Sequence, residues 1–281
     1  MPLKLLVAGL LEHDSGKTWL AAALALTARR HGLRVAAYKP VGGFDAWGSY
    51  KAFRESTSMG ALAGNDALTY HRVLGEKPER INPVALLLAP RDPLFYSGPA
   101  SYLADSARLE SSLVLARITG CDGRSRHLVF KENLERAPIT LRAEVAEAAS
   151  RLGAEPGDTT EFLSWLGSAE ASKLFSSCLA EVSRDAQLVL IESFNDAASP
   201  YLPPPAIDFT IIVVPGKALL YSGERVERAI NYTALHTPPR VARIMSLLGS
   251  PLASIDLPPA LSIEEYSSKL ESSKIARLIL D

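Results

Sequence analysis

The fold is indicated by the stretch LKLLVAGLLEHDSGKTWLAAALALTARRHG, which covers residues 3–32. Leu3–Ala8 is a short apolar run that ends at a glycine, and such a run predicts a buried parallel strand. Thr18–His31 is rich in alanine and leucine and stops before another glycine, which predicts a helix. Arg34–Tyr38 follows as a second strand, so this region predicts the β-loop-α-β unit of a parallel sheet.

The loop between the first strand and the helix, Gly9–Thr18, ends in Gly16-Lys17-Thr18. At the start of a helix, unpaired backbone N–H groups and the helix dipole favour an anion. A glycine lets the backbone approach that anion, a lysine adds positive charge, and a threonine hydroxyl suits Mg²⁺. Six residues lie between Gly9 and Gly16, where the common phosphate loop has four, and the alternative is a strand-to-helix turn with a chance lysine. The strand and helix around the loop favour a site for the phosphates of a magnesium nucleotide, with ATP and Mg²⁺ as the expected cofactors. The residues predicted to contact the nucleotide are Gly9, Ser15, Gly16, Lys17, Thr18 and Trp19.

Acidic side chains inside the loop are unusual beside phosphate, because they repel it. Asp14 is a candidate catalytic base, and its alternatives are to orient a substrate amine or to cap the following helix. His13 fits an exposed loop position as well as a functional one. Lys17 and Asp14 are predicted catalytic residues.

The composition limits the classes of function. The chain has 281 residues, of which 47% are hydrophobic and 22% charged, so a packed α/β domain is expected. A formal net charge of −1 argues against nucleic acid or an anionic membrane as the main partner. Nothing around Cys121 or Cys178 resembles a metal or redox motif, and both are expected to be ordinary reduced side chains. No secretory signal or membrane-spanning run is visible, so a cytoplasmic protein is predicted.

Three regions are predicted along the chain. Residues 1–93 and 185–281 form the two parts of an α/β core, and residues 94–184 form an insertion of mixed α/β structure. The insertion is predicted to hold a hairpin and two helices, which span Leu113–Ile118, His127–Lys131, Leu141–Leu152 and Ala169–Arg184. The second part of the core is predicted to hold three strands and three helices, which span Leu188–Ile191, Phe209–Val214, Leu252–Ile255, Glu224–Tyr232, Arg240–Leu248 and Ile263–Leu280.

Four motifs occur in the order and spacing of one enzyme family. They are Gly16-Lys17-Thr18, Tyr38-Lys39-Pro40-Val41, Asn65-Asp66-Ala67-Leu68 and Asn82-Pro83. On these motifs the chain resembles dethiobiotin synthetase over residues 3–93, and more thinly over residues 187–216. The resemblance implies a doubly wound, mostly parallel sheet of the P-loop NTPase type, a small-molecule substrate and a homodimer. It offers no counterpart for residues 94–184.

The resemblance also implies residue roles. Lys17 and Thr18 match the phosphate lysine and the Mg²⁺ threonine of the family, and Asp66 and Glu192 match carboxylates of its metal site. Lys39 matches a lysine that stabilises the carbamate formed from CO₂ and a substrate amine, so the resemblance implies that Lys39 is catalytic too. Mg²⁺ prefers hard oxygen ligands, and open parallel sheets bind ligands at the carboxyl ends of their strands. The plain alternatives are a solvated helix residue for Asp66, a surface lysine for Lys39 and an arginine partner for Glu192.

Three features depart from the family pattern. Ser193–Asp196 stands where the family has a glycine-rich stretch, and its side chains are expected to fill space that the family keeps open at its substrate site. Gly42-Gly43 replaces a family serine, and no strand leading to an adenine-binding asparagine is visible between residues 229 and 240.

The first hypothesis is an ATP-dependent ligase or carboxylase that acts on a small molecule. The alternatives are a regulatory or scaffold ATPase whose hydrolysis moves the insertion, and a binding module without turnover.

Overall fold

The computed structural model describes residues 1–106 and 108–280. Its strands, in chain order, are β1 (Leu3–Gly9), β2 (Val35–Tyr38), β3 (Val41–Asp45), β4 (Val84–Leu88), β5 (Leu113–Thr119), β6 (Ser125–Val129), β7 (Glu155–Pro156), β8 (Leu188–Glu192), β9 (Phe209–Val214), β10 (Lys217–Ser222) and β11 (Ala253–Asp256). Its helices are α1 (Lys17–Arg30), α2 (Tyr50–Ser58), α3 (Asn65–Leu74), α4 (Pro78–Ile81), α5 (Pro99–Ser106), α6 (Leu109–Ser112), α7 (Lys131–Glu135), α8 (Ile139–Arg151), α9 (Thr159–Leu166), α10 (Ala169–Ser183), α11 (Gly223–Thr233), α12 (Val241–Leu248), α13 (Ile263–Leu270) and α14 (Lys274–Leu280).

The first sheet has the strand order β11-β10-β9-β1-β8-β2. Strands β9, β1, β8 and β2 run parallel to one another, whereas β10 runs antiparallel to both of its neighbours, β9 and β11. Because β1 lies in the middle, its side chains from Leu5 onward are buried on both faces, which explains why that part of the strand is apolar. In the register of the sheet, Val7 of β1 lies opposite Glu192 of β8, and Tyr38 of β2 lies opposite Ile191. The ends of these three strands therefore meet at one edge.

Helices cover both faces of the first sheet. Leu5 and Val7 point to the face that packs against α1, α13 and α14. Leu6 points to the opposite face and shares a cluster with Phe175 of α10, while Ile212 packs with α11 and α12. The expected α/β fold is confirmed, and its sheets mix parallel with antiparallel strands.

The second sheet has the strand order β3-β4-β5-β6-β7. The predicted hairpin is present as β5 and β6, which pair antiparallel. Two of the five strands, β3 and β4, precede residue 94, so the second sheet extends across the boundary predicted at residue 93. Strand β3 was not predicted, because its two glycines, Gly42 and Gly43, disfavour a strand in isolation. Asn82 lies where a side chain on Gly42 would be, with its amide 3.2 Å from that position.

Several predicted elements differ in detail from the structure. Ile263–Leu280, predicted as one helical segment, forms the two helices α13 and α14. Strand β10 was not predicted, and it turns back antiparallel beside β9. The described residues contain no helix that is both long enough and apolar enough to cross a bilayer.

The expectation of two reduced cysteines is wrong. Cys121, in the turn between β5 and β6, forms a disulfide with Cys178 of α10. The two residues are 57 positions apart, and their Cα atoms lie 4.9 Å from each other. No sequence motif marks the pair, because the two sulfur atoms meet only when α10 packs beside the hairpin.

We expect this disulfide to stabilise the protein strongly. Closing a loop of this length stabilises a fold by about 4 kcal/mol when the constraint on the unfolded chain is counted alone. Reduction with dithiothreitol should therefore lower the free energy of unfolding in urea by roughly 2–4 kcal/mol. A Cys121→Ser/Cys178→Ser variant should be equally destabilised and should not respond to dithiothreitol. Equal stability of the oxidised and reduced wild type would contradict the expectation.

Arg117 of β5 is a buried cation at the centre of the second sheet, with a relative exposure of 0%. Its guanidinium donates to the carbonyl oxygens of Leu62 (2.7 Å) and Asn82 (2.6 Å) and to the hydroxyl of Thr119. All of its described hydrogen-bond partners are neutral. Burial lowers the pKa of Arg117 to about 10, and Glu79 partly opposes that shift.

His127 of β6 lies directly opposite Arg117 in the register of the two strands. Burial, followed by repulsion from Arg117, lowers the pKa of His127 to about 4 from an ordinary value of 6.5, and Glu79 opposes the shift. His127 is therefore neutral in the folded protein at neutral pH.

The His127 pKa predicts a loss of stability in mild acid. Between pH 6.5 and pH 4 the unfolded chain binds a proton at this histidine that the folded chain does not, so stability falls as the pH falls. The full effect of this one group is about 3 kcal/mol. Urea unfolding from pH 7 to pH 4 should show a smaller slope in His127→Gln than in the wild type. His236→Gln, at an exposed position, is the control and should keep the wild-type slope.

Candidate functional site

The loop after β1 is shaped by two residues at its end. Gly16 is the N-cap of α1 and has φ 87° and ψ 12°, a left-handed conformation that favours glycine. Ser15 is buried, and its hydroxyl accepts from the N–H of Leu11 (3.1 Å) and donates to the carbonyl of Leu11 (2.8 Å). The loop is thereby held in a fixed bend, and the N–H groups of the first turn of α1 point out of the end of the helix.

Lys17 folds back over the end of β1. A side chain on Gly9 would lie 2.5 Å from the Ser15 hydroxyl and 2.9 Å from Lys17 Nζ, so only glycine leaves room for this arrangement. Lys17 is 8% exposed. Burial lowers the pKa of Lys17, and attraction by Glu192 opposes this. The ammonium is thus held near the loop rather than in open solvent.

Three oxygen-bearing side chains converge beside this loop. The Thr18 hydroxyl lies 2.9 Å from Asp66 Oδ1, and 2.9 Å and 3.1 Å from the two carboxylate oxygens of Glu192. Thr18 is in the first turn of α1, Asp66 in the first turn of α3, and Glu192 at the end of β8. The structure therefore brings together all three residues predicted as metal ligands, although 174 positions separate Thr18 from Glu192.

Lys39 lies between the two carboxylates. Its ammonium contacts Asp66 and is 2.7 Å from Glu192 Oε1, and the residue is 5% exposed, so it is not a surface lysine. Burial alone lowers the pKa of Lys39, but Asp66 and Glu192 more than reverse this, and the pKa lies above its ordinary value. Burial likewise raises the pKa of Asp66, and Lys39 reverses this to a net lowering. Both groups are charged over the whole neutral range.

Two further residues support this cluster: Tyr70, which was missed in the sequence, and Asn82, which was named there only as part of a motif. Tyr70 donates to Glu192 Oε2 at 2.7 Å, and burial and Glu192 raise the pKa of Tyr70, so the phenol keeps its proton. Tyr70 follows Asp66 by four positions on α3, a spacing that places both on one helix face. Asn82 donates from its amide to the carbonyls of Lys39 and Val84, each at 2.8 Å, and so fixes the backbone that carries Lys39.

A cavity of about 720 Å³ opens over the cluster. Its walls come from the loop after β1, the start of α3, the end of β8 and the segment that follows β8. Trp19, predicted to contact the nucleotide, lines this cavity and is 42% exposed. The size is within the ordinary range for small-molecule sites.

The remaining predicted residues have different positions. Gly9 lies beneath Ser15 and Lys17, and the Ser15 hydroxyl is engaged by Leu11, so these two residues shape the loop. Asp14 lines the cavity with φ 54°. It does not cap α1, because Gly16 occupies the cap position without a side-chain hydrogen bond.

The oxygen ligands at this site suit a hard cation that is also bound by a second molecule. Within residues 1–106 and 108–280, no three or more His, Cys, Asp or Glu side chains form a metal-binding group. The site instead offers two carboxylates and one hydroxyl, and Mg²⁺ is commonly held by one or two carboxylates together with phosphate and water. No protein-family profile and no curated protein sequence matches this chain.

Proposed function

We propose that the chain is a Mg-ATP-binding P-loop NTPase that resembles dethiobiotin synthetase and acts as an ATP-dependent ligase or carboxylase on a small molecule. The observation that carries the proposal is the convergence of the Thr18 hydroxyl with the carboxylates of Asp66 and Glu192, within 2.9–3.1 Å, beside Lys17 at the start of α1. A strand-to-helix turn without function has no physical reason to gather two carboxylates and two buried lysines at one helix N-terminus.

The loop geometry supports phosphate binding. Gly16 leaves the N–H groups of α1 uncovered, and the dipole of this 14-residue helix favours negative charge at the same place. Because Gly9 has no side chain, Lys17 can lie over the end of β1, and its ammonium offers three donors to an oxyanion. Both features act on the same end of the cavity.

The carboxylates support a metal ion at that end. Thr18, Asp66 and Glu192 would hold Mg²⁺, which when bound supplies positive charge against the phosphates. Tyr70 donates to Glu192 and keeps its carboxylate oriented toward Thr18.

Lys39 is the proposed link between the nucleotide and the second substrate. It lies directly after β2, its ammonium contacts both carboxylates, and Asn82 holds its backbone. Its raised pKa keeps it cationic, which suits stabilisation of negative charge on a substrate rather than proton abstraction. Phe194 and Asn195 line the cavity where the resembled family has glycines, so the site for the second substrate differs from the family pattern.

A reaction mixture of Mg-ATP, bicarbonate and 7,8-diaminopelargonate tests the named reaction of the resembled family. Formation of ADP with dethiobiotin would establish that reaction. Formation of ADP without any ligated product, whichever second substrate is added, would favour the regulatory ATPase. Binding is measured independently by the fluorescence of Trp19, with Trp19→Phe as the control for the other tryptophans. Absence of Mg-ATP binding in calorimetry would contradict the proposal as a whole.

Replacement of Lys39 by alanine should separate binding from turnover. Its ammonium contacts the two carboxylates rather than the loop, so we expect the Kd for Mg-ATP to stay nearly unchanged. Any ligase turnover should fall by about 100-fold or more, as when one stabilising donor is removed. Lys51→Ala, at an exposed position on α2, is the control. A Kd weakened as strongly as by loss of Lys17 would show that Lys39 serves the nucleotide.

A further inference from the structure

A second cavity, of about 620 Å³, lies next to the charged one and has a different character. Its walls are apolar side chains of the second sheet, α9, α10 and two loops of the core, among them Val41, Leu86, Leu163, Phe175 and Tyr201. No Asp, Glu, Lys or Arg is among the described residues that line it. Its polar groups are the hydroxyls of serine, threonine and tyrosine, and the ring of His236.

Phe194 is the residue that the two cavities share. It lines the apolar cavity and also the cavity over Lys17, Thr18 and Glu192. Its ring packs against β3, where a side chain on Gly43 would lie 3.3 Å from the ring edge. Phe194 follows Glu192 by two positions, so one wall of the apolar cavity begins where the charged cluster ends.

The contrast between the cavities limits what each can hold. A charged group transferred into the apolar cavity would lose its hydration without gaining a charged partner there, which is costly. A hydrocarbon group gains from the same transfer, by roughly the free energy of a fourfold change in affinity per buried methylene. An amphipathic molecule satisfies both cavities at once.

We propose that the second substrate is a small molecule with a hydrocarbon body and one polar end. The hydrocarbon body lies in the apolar cavity, and the polar end, a carboxylate or an amine, reaches past Phe194 to the charged cavity. This inference rests on the proposed function, because it assigns the substrate class of that site. It also gives a use to the insertion, since α9 and α10 supply part of the apolar wall.

Chain-length series of two ligand types test the proposal. Acids from acetate to octanoate and amines from ethylamine to octylamine are titrated calorimetrically against the full chain saturated with a non-hydrolysable Mg-ATP analogue. Affinity should rise about fourfold per methylene in at least one series. The series that shows the rise identifies the polar end. Affinity independent of chain length in both series overturns the proposal.

A cavity-filling variant locates the binding. Ser172 of α10 lines the apolar cavity, and Ser172→Phe should lower the octyl affinity by tenfold or more while the Kd for Mg-ATP stays within twofold of the wild type. Ser177→Phe, on the exposed face of the same helix, is the matched control. Equal loss in both variants, or in neither, would place the ligand elsewhere and overturn the proposal.

The two proposals fail in different ways. If the protein binds Mg-ATP but its affinity for the acids and amines does not depend on their length, the nucleotide function stands and the proposed substrate class is wrong. If the affinity depends on ligand length but the protein does not bind Mg-ATP, the apolar cavity is still a ligand site. The proposed function is then wrong, and so is the assignment of the ligand as a second substrate.

Discussion

Lys17→Ala should weaken binding of Mg-ATP by about 100-fold or more. The ammonium is mostly buried and lies within the loop that we propose to cradle the phosphates, and loss of one partner of such a desolvated charge pair typically costs about 2–5 kcal/mol. The fold should survive the change, because Lys17 is at the first position of α1 and alanine is a strong helix former. Calorimetric titration with Mg-ATP measures the effect.

Lys131→Ala is the matched control for this experiment. Lys131 is also the first residue of a helix, α7, but it is exposed and follows β6 of the second sheet. We expect wild-type affinity in the control and an unchanged unfolding temperature in both variants. Unaltered nucleotide affinity in Lys17→Ala would mean that the site has been misplaced.

Arg117→Met should destabilise the fold by about 3–5 kcal/mol. Methionine fills most of the volume but leaves the carbonyls of Leu62 and Asn82 without a donor, and each buried group left unsatisfied costs roughly 1–3 kcal/mol. Removal of an uncompensated buried charge offsets part of this loss. Urea unfolding at pH 7 measures the difference.

The same change should disturb the functional site. Leu62 precedes α3, which carries Asp66, and Asn82 holds the backbone of Lys39, so Arg117 stabilises both neighbours of the cluster from outside it. Arg126→Met, at an exposed position on β6, is the control and should be nearly neutral. Arg117→Lys should still be destabilised, because an ammonium cannot reproduce the fork of the guanidinium. A neutral effect of Arg117→Met would show that the carbonyls of Leu62 and Asn82 find other partners.

Much of the site could be predicted because its residues follow local patterns. Lys39 comes directly after one short apolar run, and Glu192 is at the end of another. In a parallel sheet the ends of such strands meet at one edge. Asp66 was predicted from a motif, and it lies in the first turn of a helix. The strand ends indicated one shared edge for Lys39 and Glu192, whereas the metal-site roles of Asp66 and Glu192 were implied by the family resemblance.

Other features depend on contacts between distant segments and left no local signal. Arg117 looks like an ordinary strand arginine until β4, β5 and the loop before α3 close around it. The disulfide forms only when α10 packs against the hairpin. Strand β3 has two glycines, which disfavour a strand, and it is stabilised by its hydrogen bonds to β4. Each depends on which segments pack together, a property that short patterns do not contain.

By itself, the sequence determined the α/β class, the strand-loop-helix around Gly16 and the identity of the side chains at three strand and helix ends, because hydrophobic periodicity and glycine conformations are local properties. The tertiary structure alone decided that Lys39 lies between Asp66 and Glu192, that Tyr70 donates to Glu192, and that Phe194 separates a charged cavity from an apolar one. These arrangements join residues as much as 153 positions apart, and their geometry follows from the packing of two sheets and the helices between them.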